Sequence, residues 1–212
     1  MRESTLSLKE RQRQQREQLI LHASEKILLE KGYHEMCMDE VAARVGIAKG
    51  TLYLHFSRKE DLVLALLELQ MQAILQNVQE AVSAPGSVRS RLETLLATSY
   101  MRLKGERGRL FYALFGAVEL RPLLRSRHHA LLDQLLSSLE VLLNEGKASG
   151  EFDPAIPTTI MLHTFSSLLA SYPFKRLLLD EMVTPEELVQ YVGKIFFRGV
   201  ANPQRAYVES LA

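Results

Sequence analysis

Between Lys49 and Lys59 the chain places Lys49, Thr51, Tyr53, His55 and Lys59 within eleven residues, offering ammonium, hydroxyl, phenol and imidazole donors. Such groups reach phosphate oxygens, and their density in one segment suits contact with a nucleic-acid backbone. Leu52 and Phe56 are four apart, so on a helix both turn inward. Gly50 and Leu54 then point outward, with Thr51 and Tyr53 on the flanks. Small and polar side chains presented this way meet base edges in a major groove, and an outward Leu54 suits a thymine methyl. Arg44, on the preceding segment, joins Lys49, Gly50, Thr51, Tyr53, Leu54, His55 and Lys59 as a candidate DNA-binding residue.

Catalytic chemistry has no comparable constellation. The sequence contains no HExxH, no CxxC, no paired Asp-rich helix and no glycine pattern of a phosphate loop. His128 and His129 are adjacent and diverge on a helix, and His163 is isolated, so no metal site is expected. No cofactor is expected either, and the chain reads as a non-enzyme. Its single cysteine, Cys37, can close no intrachain disulfide, which fits a reducing compartment; it reads as a semi-buried small side chain.

The segment that carries the donors must be held by a corner. Val41, Ala42 and Val45 give a short helix an apolar face, and Gly46 supplies a sharp turn. Ile47 fills the gap before a second short helix from about Ala48 to Phe56. Elsewhere apolar residues recur at helical spacing and nothing alternates with the period of a strand, so the chain reads as all-α. A first helix is expected over about Lys9 to Glu30 with Gly32 as a left-handed cap, and a long one over about Lys59 to Val82, ended by Ala84-Pro85-Gly86-Ser87. Further helices are expected over about 87–104, 107–120, 126–148, 157–179 and 185–200, with Pro173 kinking the fourth of these. Thr184-Pro185-Glu186-Glu187 is an N-terminal helix signal. This organisation is read as a helix-turn-helix domain over residues 1–60 and a helical domain over residues 61–212.

Charge is informative by position, since 26 Lys and Arg against 25 Asp and Glu leave a formal net charge of +1. Any nucleic-acid partner must be met by a local patch. Lys9, Arg11, Arg13 and Arg16 lie within eight residues opposed only by Glu10, as a basic arm able to lie along or enter a minor groove. There is no apolar signal core at the start and no membrane-spanning apolar run, so no membrane partner is expected and the location is read as cytoplasmic.

Gly32-Tyr33 followed by VAARVGIAKGTLYLHFSRKEDL resembles the DNA-binding domain of the TetR family of bacterial regulators. The match is specific over about residues 15 to 65; beyond Pro85 it is architectural only. The resemblance implies backbone contacts from Tyr53, His55 and Lys59 and groove contacts from Lys49, Gly50 and Thr51. It departs from the pattern at Met36-Cys37-Met38, where a hydroxyl normally caps the first short helix and a thiol is a poor substitute.

The likeness also implies a homodimer through the last two long helices, binding a near-palindromic double-stranded operator. Their apolar residues Ile160, Phe165, Leu168, Leu169, Val189, Val192, Ile195 and Phe196 fit such an interface. A transcriptional regulator, acting as a repressor released by a small hydrophobic effector, is the expected function. Tyr100, Met101, Phe111, Tyr112, Phe115, Met161, His163, Phe165 and Tyr172 are the candidate effector pocket. The competing reading is a helix-turn-helix-derived protein-interaction adaptor without DNA binding.

Overall fold

Ser7 and Glu10 decide where the first helix starts. The Ser7 hydroxyl accepts the Glu10 backbone N–H at 3.3 Å while the Glu10 carboxylate accepts the Ser7 N–H at 2.8 Å, a reciprocal capping box. These hydrogen bonds hold the Glu10 carboxyl below the usual glutamate range. From there a computed structural model shows an all-α chain, describing residues 7–105, 108, 110, 114, 129–169 and 174–203. It divides into two compact units, Met1–Gln70 with Arg109–Ser126, and Met71–Gly108 with Arg127–Ala212.

The first unit contains α1 (Leu8–Glu35), α2 (Met38–Val45), α3 (Lys49–His55) and the first turns of α4 (Lys59–Ser83). Gly32 is a kink inside α1 rather than its cap: at φ 81° and ψ 176° it occupies a region open essentially to glycine, and one more turn follows it. Ile20, Ile27, Val41, Leu52, Leu62 and Leu67 are completely buried in one core, which Leu110 and Leu114 join. The boundary expected at residue 60 falls at the start of α4, whose Leu62, Val63, Leu66 and Leu67 belong to this core.

The second unit holds the rest of α4 with α5 (Val88–Lys104), α6 (His129–Ala148), α7 (Thr158–Leu169), α8 (Lys175–Leu179) and α9 (Pro185–Val200). Thr184 and Glu187 form a second capping box, with Pro185 in the first turn of α9 as the sequence signal requires. The expected helix over 107–120 and the kink at Pro173 fall largely or wholly outside the described residues. Among those described, no helix is long and apolar enough to cross a membrane.

Helix ends in this unit are tied by charge. Arg91, 5% exposed, donates to the Ala81 and Val82 carbonyls in the last turn of α4 and to the Glu145 carboxylate on α6. Glu151 accepts the backbone N–H groups of Val88 and Arg89 at the start of α5, both at 3.0 Å. Cation at a carbonyl end and carboxylate at an amide end both complement the helix dipole. The segment after α6 turns at Gly150, φ 74°, and carries Phe152 back onto Gly146. There a β-carbon would collide with the Phe152 ring, which is itself buried and lies against Phe197. Gly146→Ala is therefore expected to cost about 1–3 kcal/mol, read as a lowered denaturation midpoint with an unchanged slope against urea.

Candidate nucleic-acid interface

The corner that presents α3 is built from backbone. Cys37 precedes α2 in an extended conformation and makes no side-chain capping bond, as expected for a thiol, although it is exposed rather than semi-buried. Gly46 ends α2 at φ 75°, ψ 34°, a left-handed conformation that costs a residue with a β-carbon roughly 1–2 kcal/mol. Its N–H donates to Ala43 O at 3.2 Å and that of Ile47 to Ala42 O at 3.0 Å, closing the turn. Ala48 then opens α3 with no side-chain cap, and Leu52 is completely buried.

Burying Leu52 fixes what α3 shows. Lys49 and Gly50 are exposed, Thr51 is half-buried, Tyr53 is 41% exposed and Leu54 is 81% exposed. A β-carbon on Gly50 would meet nothing within 4 Å, so this part of the helix is open to close approach by a partner's backbone. The Lys49 ammonium lies 2.7 Å from the Asp39 carboxylate in the first turn of α2 and 6.0 Å from the centre of the Tyr53 ring. Its hydrogen bond to Asp39 holds the Lys49 pKa above the ordinary lysine value.

Arg44, His55 and Lys59 each have a partner within the unit. The Arg44 guanidinium is turned to α1, donating twice to Glu30 at 2.8 Å and once to Glu40 at 3.4 Å, a forked match to a carboxylate. That pairing raises the Arg44 pKa and lowers that of Glu30. The His55 side chain is 7% exposed, with Nδ1 3.2 Å from the Glu17 carboxylate on α1. It faces α1 rather than the open side of α3. Lys59 lies 4.3 Å from the centre of the Tyr33 ring and donates to the His34 carbonyl at 3.3 Å, so it reaches back across the end of α1 while remaining partly exposed.

Glu17, Glu30, Tyr33 and Asp39 were not among the candidates, yet they position the residues that were. Tyr33 also donates to Glu60 at 3.2 Å, tying the end of α1 to the start of α4. Glu17 lies 38 residues from His55 and Glu30 lies 14 from Arg44, so no local spacing reveals them.

The candidate pocket residues divide. Tyr100, Met161 and Phe165 are buried, with the Tyr100 hydroxyl donating to Leu168 O at 3.2 Å and Phe165 packed 5.3 Å from Phe196. Met101 is 54% exposed and His163 is exposed. Each neighbours an inward residue, Tyr100 and Leu162 respectively, and a helix turns about 100° per residue. Phe111, Tyr112, Phe115 and Tyr172 lie outside the described residues. Of the expected dimer residues, Phe165, Leu169, Val192 and Phe196 are internal to the unit, whereas Ile160 and Ile195 are exposed, together with Tyr191, which apolar spacing does not single out.

Residues 20–66 match the family model described as bacterial regulatory proteins, tetR family. The chain is similar to the fatty acid metabolism regulator protein of Bacillus subtilis, 28% identical over 62% of this chain and 68% of that one. It is also similar to the transcriptional activator FasR of Mycolicibacterium smegmatis, 39% identical over 37% of this chain and 36% of that one. Among solved structures, FadR from Bacillus subtilis in complex with stearoyl-CoA has a TM-score of 0.70 at 19% identity, covering 86% of this chain and 98% of that one. FadR from Bacillus halodurans has a TM-score of 0.71 at 22% identity, covering 86% and 94%. With its Gly46 corner, buried Leu52 and exposed Lys49–Leu54 face within that match, residues 20–66 form a DNA-binding domain of the tetR type, and the chain is a DNA-binding transcriptional regulator.

Proposed function

We propose that the chain acts as a homodimeric repressor whose two α3 helices enter successive major grooves of a near-palindromic operator, released by an effector with a long apolar chain. The single observation that carries the DNA half is the side-by-side exposure of Lys49, Gly50, Tyr53 and Leu54 over a completely buried Leu52. In a two-fold dimer the reading helices lie roughly 34 to 36 Å apart, one turn of DNA. Tyr53 and Lys59 supply phosphate contacts, while Lys49, Gly50, Thr51 and Leu54 meet base edges. Arg44 and His55 hold α2 and α3 to α1 and act through position.

Ile160, Tyr191 and Ile195, exposed on α7 and α9, supply the dimer surface. Apolar side chains of this size facing outward while Leu188, Val192 and Phe196 face inward make α9 apolar on two sides. Effector binding draws on the buried apolar and aromatic groups of the second unit, Tyr100, Met161 and Phe165 among them. Long-chain acyl-CoA thioesters are the class to test first, because the Bacillus subtilis FadR structure contains stearoyl-CoA and the relative of that organism is a fatty acid metabolism regulator.

Footprinting on the chain's own upstream region provides the primary test. Tyr53→Phe and Lys59→Gln should weaken binding to all sequences, and Lys59→Gln should also flatten the dependence of log K on log salt by about 0.9 for the phosphate it ceases to neutralise. Thr51→Ala and Leu54→Ala should instead alter base preference within each half-site. A chain that protects no duplex at low ionic strength sinks this reading. Asp39→Asn should tighten DNA binding roughly two- to five-fold, since it frees Lys49 from an exposed ion pair and removes a negative charge from the surface; unchanged or weaker binding by fluorescence anisotropy would place Lys49 away from the duplex. Stearoyl-CoA should raise the melting temperature and lower operator affinity where free CoA does neither, and no response to acyl chains of any length would remove this effector class.

A further inference from the structure

The N-terminal turns of α1 are helical without a packing reason. Residues 8–16 are all exposed, and the first buried residue of the helix is Ile20. A short helical run with no buried face is marginal in water, and here it is sustained by the Ser7–Glu10 capping box and by continuity with the buried turns. The expected arm is therefore a helical projection, not an extended strand of chain.

Lys9, Arg13 and Arg16 are spaced four and three residues apart, which puts them in one row. Continued by four and then seven residues, that row reaches Ile20 and Ile27, both completely buried in the core of the first unit. The stripe that faces the inside of the domain thus changes from isoleucine to cation where the domain ends. Arg11 lies on the other side of the helix. The arrangement is unfavourable in isolation, because Lys9–Arg13 and Arg13–Arg16 are like-charge neighbours and cations oppose the dipole at an N-terminal end. Arg13 is offset in part by Glu17 at 3.3 Å, an exposed pair that a phosphate can replace.

Glu17 also locates the projection. Through its 3.2 Å approach to His55 it marks where α1 passes the C-terminal end of α3. Lys9 is eight residues earlier, about 12 Å further along the helix at 1.5 Å per residue. Laid along the duplex from an α3 seated in a major groove, a projection of that length would span three to four base-pair steps of about 3.4 Å.

We propose that Lys9, Arg13 and Arg16 form a phosphate-gripping row that extends the contact of each subunit beyond the groove read by α3, along the DNA backbone adjoining the half-site. The proposal rests on the operator-binding reading above. Neutralising the row relieves the like-charge repulsion, so contact with a polyanion is favoured on the free-protein side as well as in the complex.

The test uses the full chain and a duplex that the wild-type protein selects from a randomised library within fixed flanks. The triple variant Lys9→Gln, Arg13→Gln, Arg16→Gln keeps good helix formers at each position, and circular dichroism checks that helix content is retained. It should flatten the log K against log salt slope by about 0.9 for each phosphate no longer neutralised and bind at least about ten-fold more weakly at 0.15 M salt, with unchanged base preference. Hydroxyl-radical footprinting should show wild-type protection of three to four sugars adjoining each half-site, and the variant should lose it. A variant with wild-type slope and footprint overturns the row while leaving the regulator reading intact. A wild-type footprint confined to the groove whose bases respond to Thr51 and Leu54 substitution overturns it without recourse to the variant. Failure of the wild-type chain to select any duplex overturns both.

Discussion

Leu52 is the contact on which the functional surface depends. A seven-residue helix with no side-chain cap at its start has no stability of its own, since nucleating even one turn is unfavourable. Removing one leucine side chain from water contributes about 1.5–3 kcal/mol, and here it is the central residue of α3 that is completely buried. Once that side chain is fixed, helical periodicity leaves no freedom for the others: Lys49, Gly50, Tyr53 and Leu54 must face away from the core. The left-handed turn at Gly46 matters because it delivers the chain to the start of α3 within three residues.

Around this corner the cations are distributed among carboxylates of the same unit. Lys31 pairs with Glu40, Arg44 with Glu30 and Glu40, Lys49 with Asp39, and His55 lies against Glu17. Exposed pairs of this kind contribute little to stability. Their consequence is positional, because they hold flexible side chains in known places and set what a phosphate must displace. Lys49 gives up a single exposed aspartate, whereas Arg44 would have to leave a forked pair that ties α2 to α1. The same chemistry that makes both residues candidate phosphate donors in a sequence therefore separates them in three dimensions. A chain with a net charge of +1 can bind a polyanion only through such local choices.

The short-range features were legible because each rests on neighbours in sequence. The Thr184 box, the Gly46 corner and the inward turn of Leu52 against the outward turn of Leu54 follow from spacing alone. What was not legible depends on partners far along the chain. The acidic neighbours of His55 and Arg44 are of this kind, since Glu17 lies 38 residues from His55 and Glu30 belongs to a different helix from Arg44. Composition leaves a different matter open for Met101 and His163. Both stand one residue from buried side chains, and being apolar or aromatic does not say on which side of a helix a residue falls. The Gly32 kink reads as an end because a glycine stops a helix and breaks one by the same permissive backbone.

The end of α4 is held by contacts within the second unit. The helix is continuous from Lys59 to Ser83, its early leucines lying in the first core. The last carbonyls of a helix need donors, and a glycine cap usually provides backbone ones. Here Val82 receives one from the Arg91 side chain, which also donates to Ala81 O beside the Ala84 N–H, and Arg91 is itself held by Glu145. Backbone capping would make the end of α4 a local matter. Side-chain capping makes it depend on where α5 and α6 stand, and Glu151 binds the start of α5 to the segment after α6 in turn. The Arg91 Nε is buried without a hydrogen-bond partner, so the clamp leaves one polar group unsatisfied. Repacking of α5 or α6 would therefore reach the carbonyl end of α4 through the Arg91 side chain.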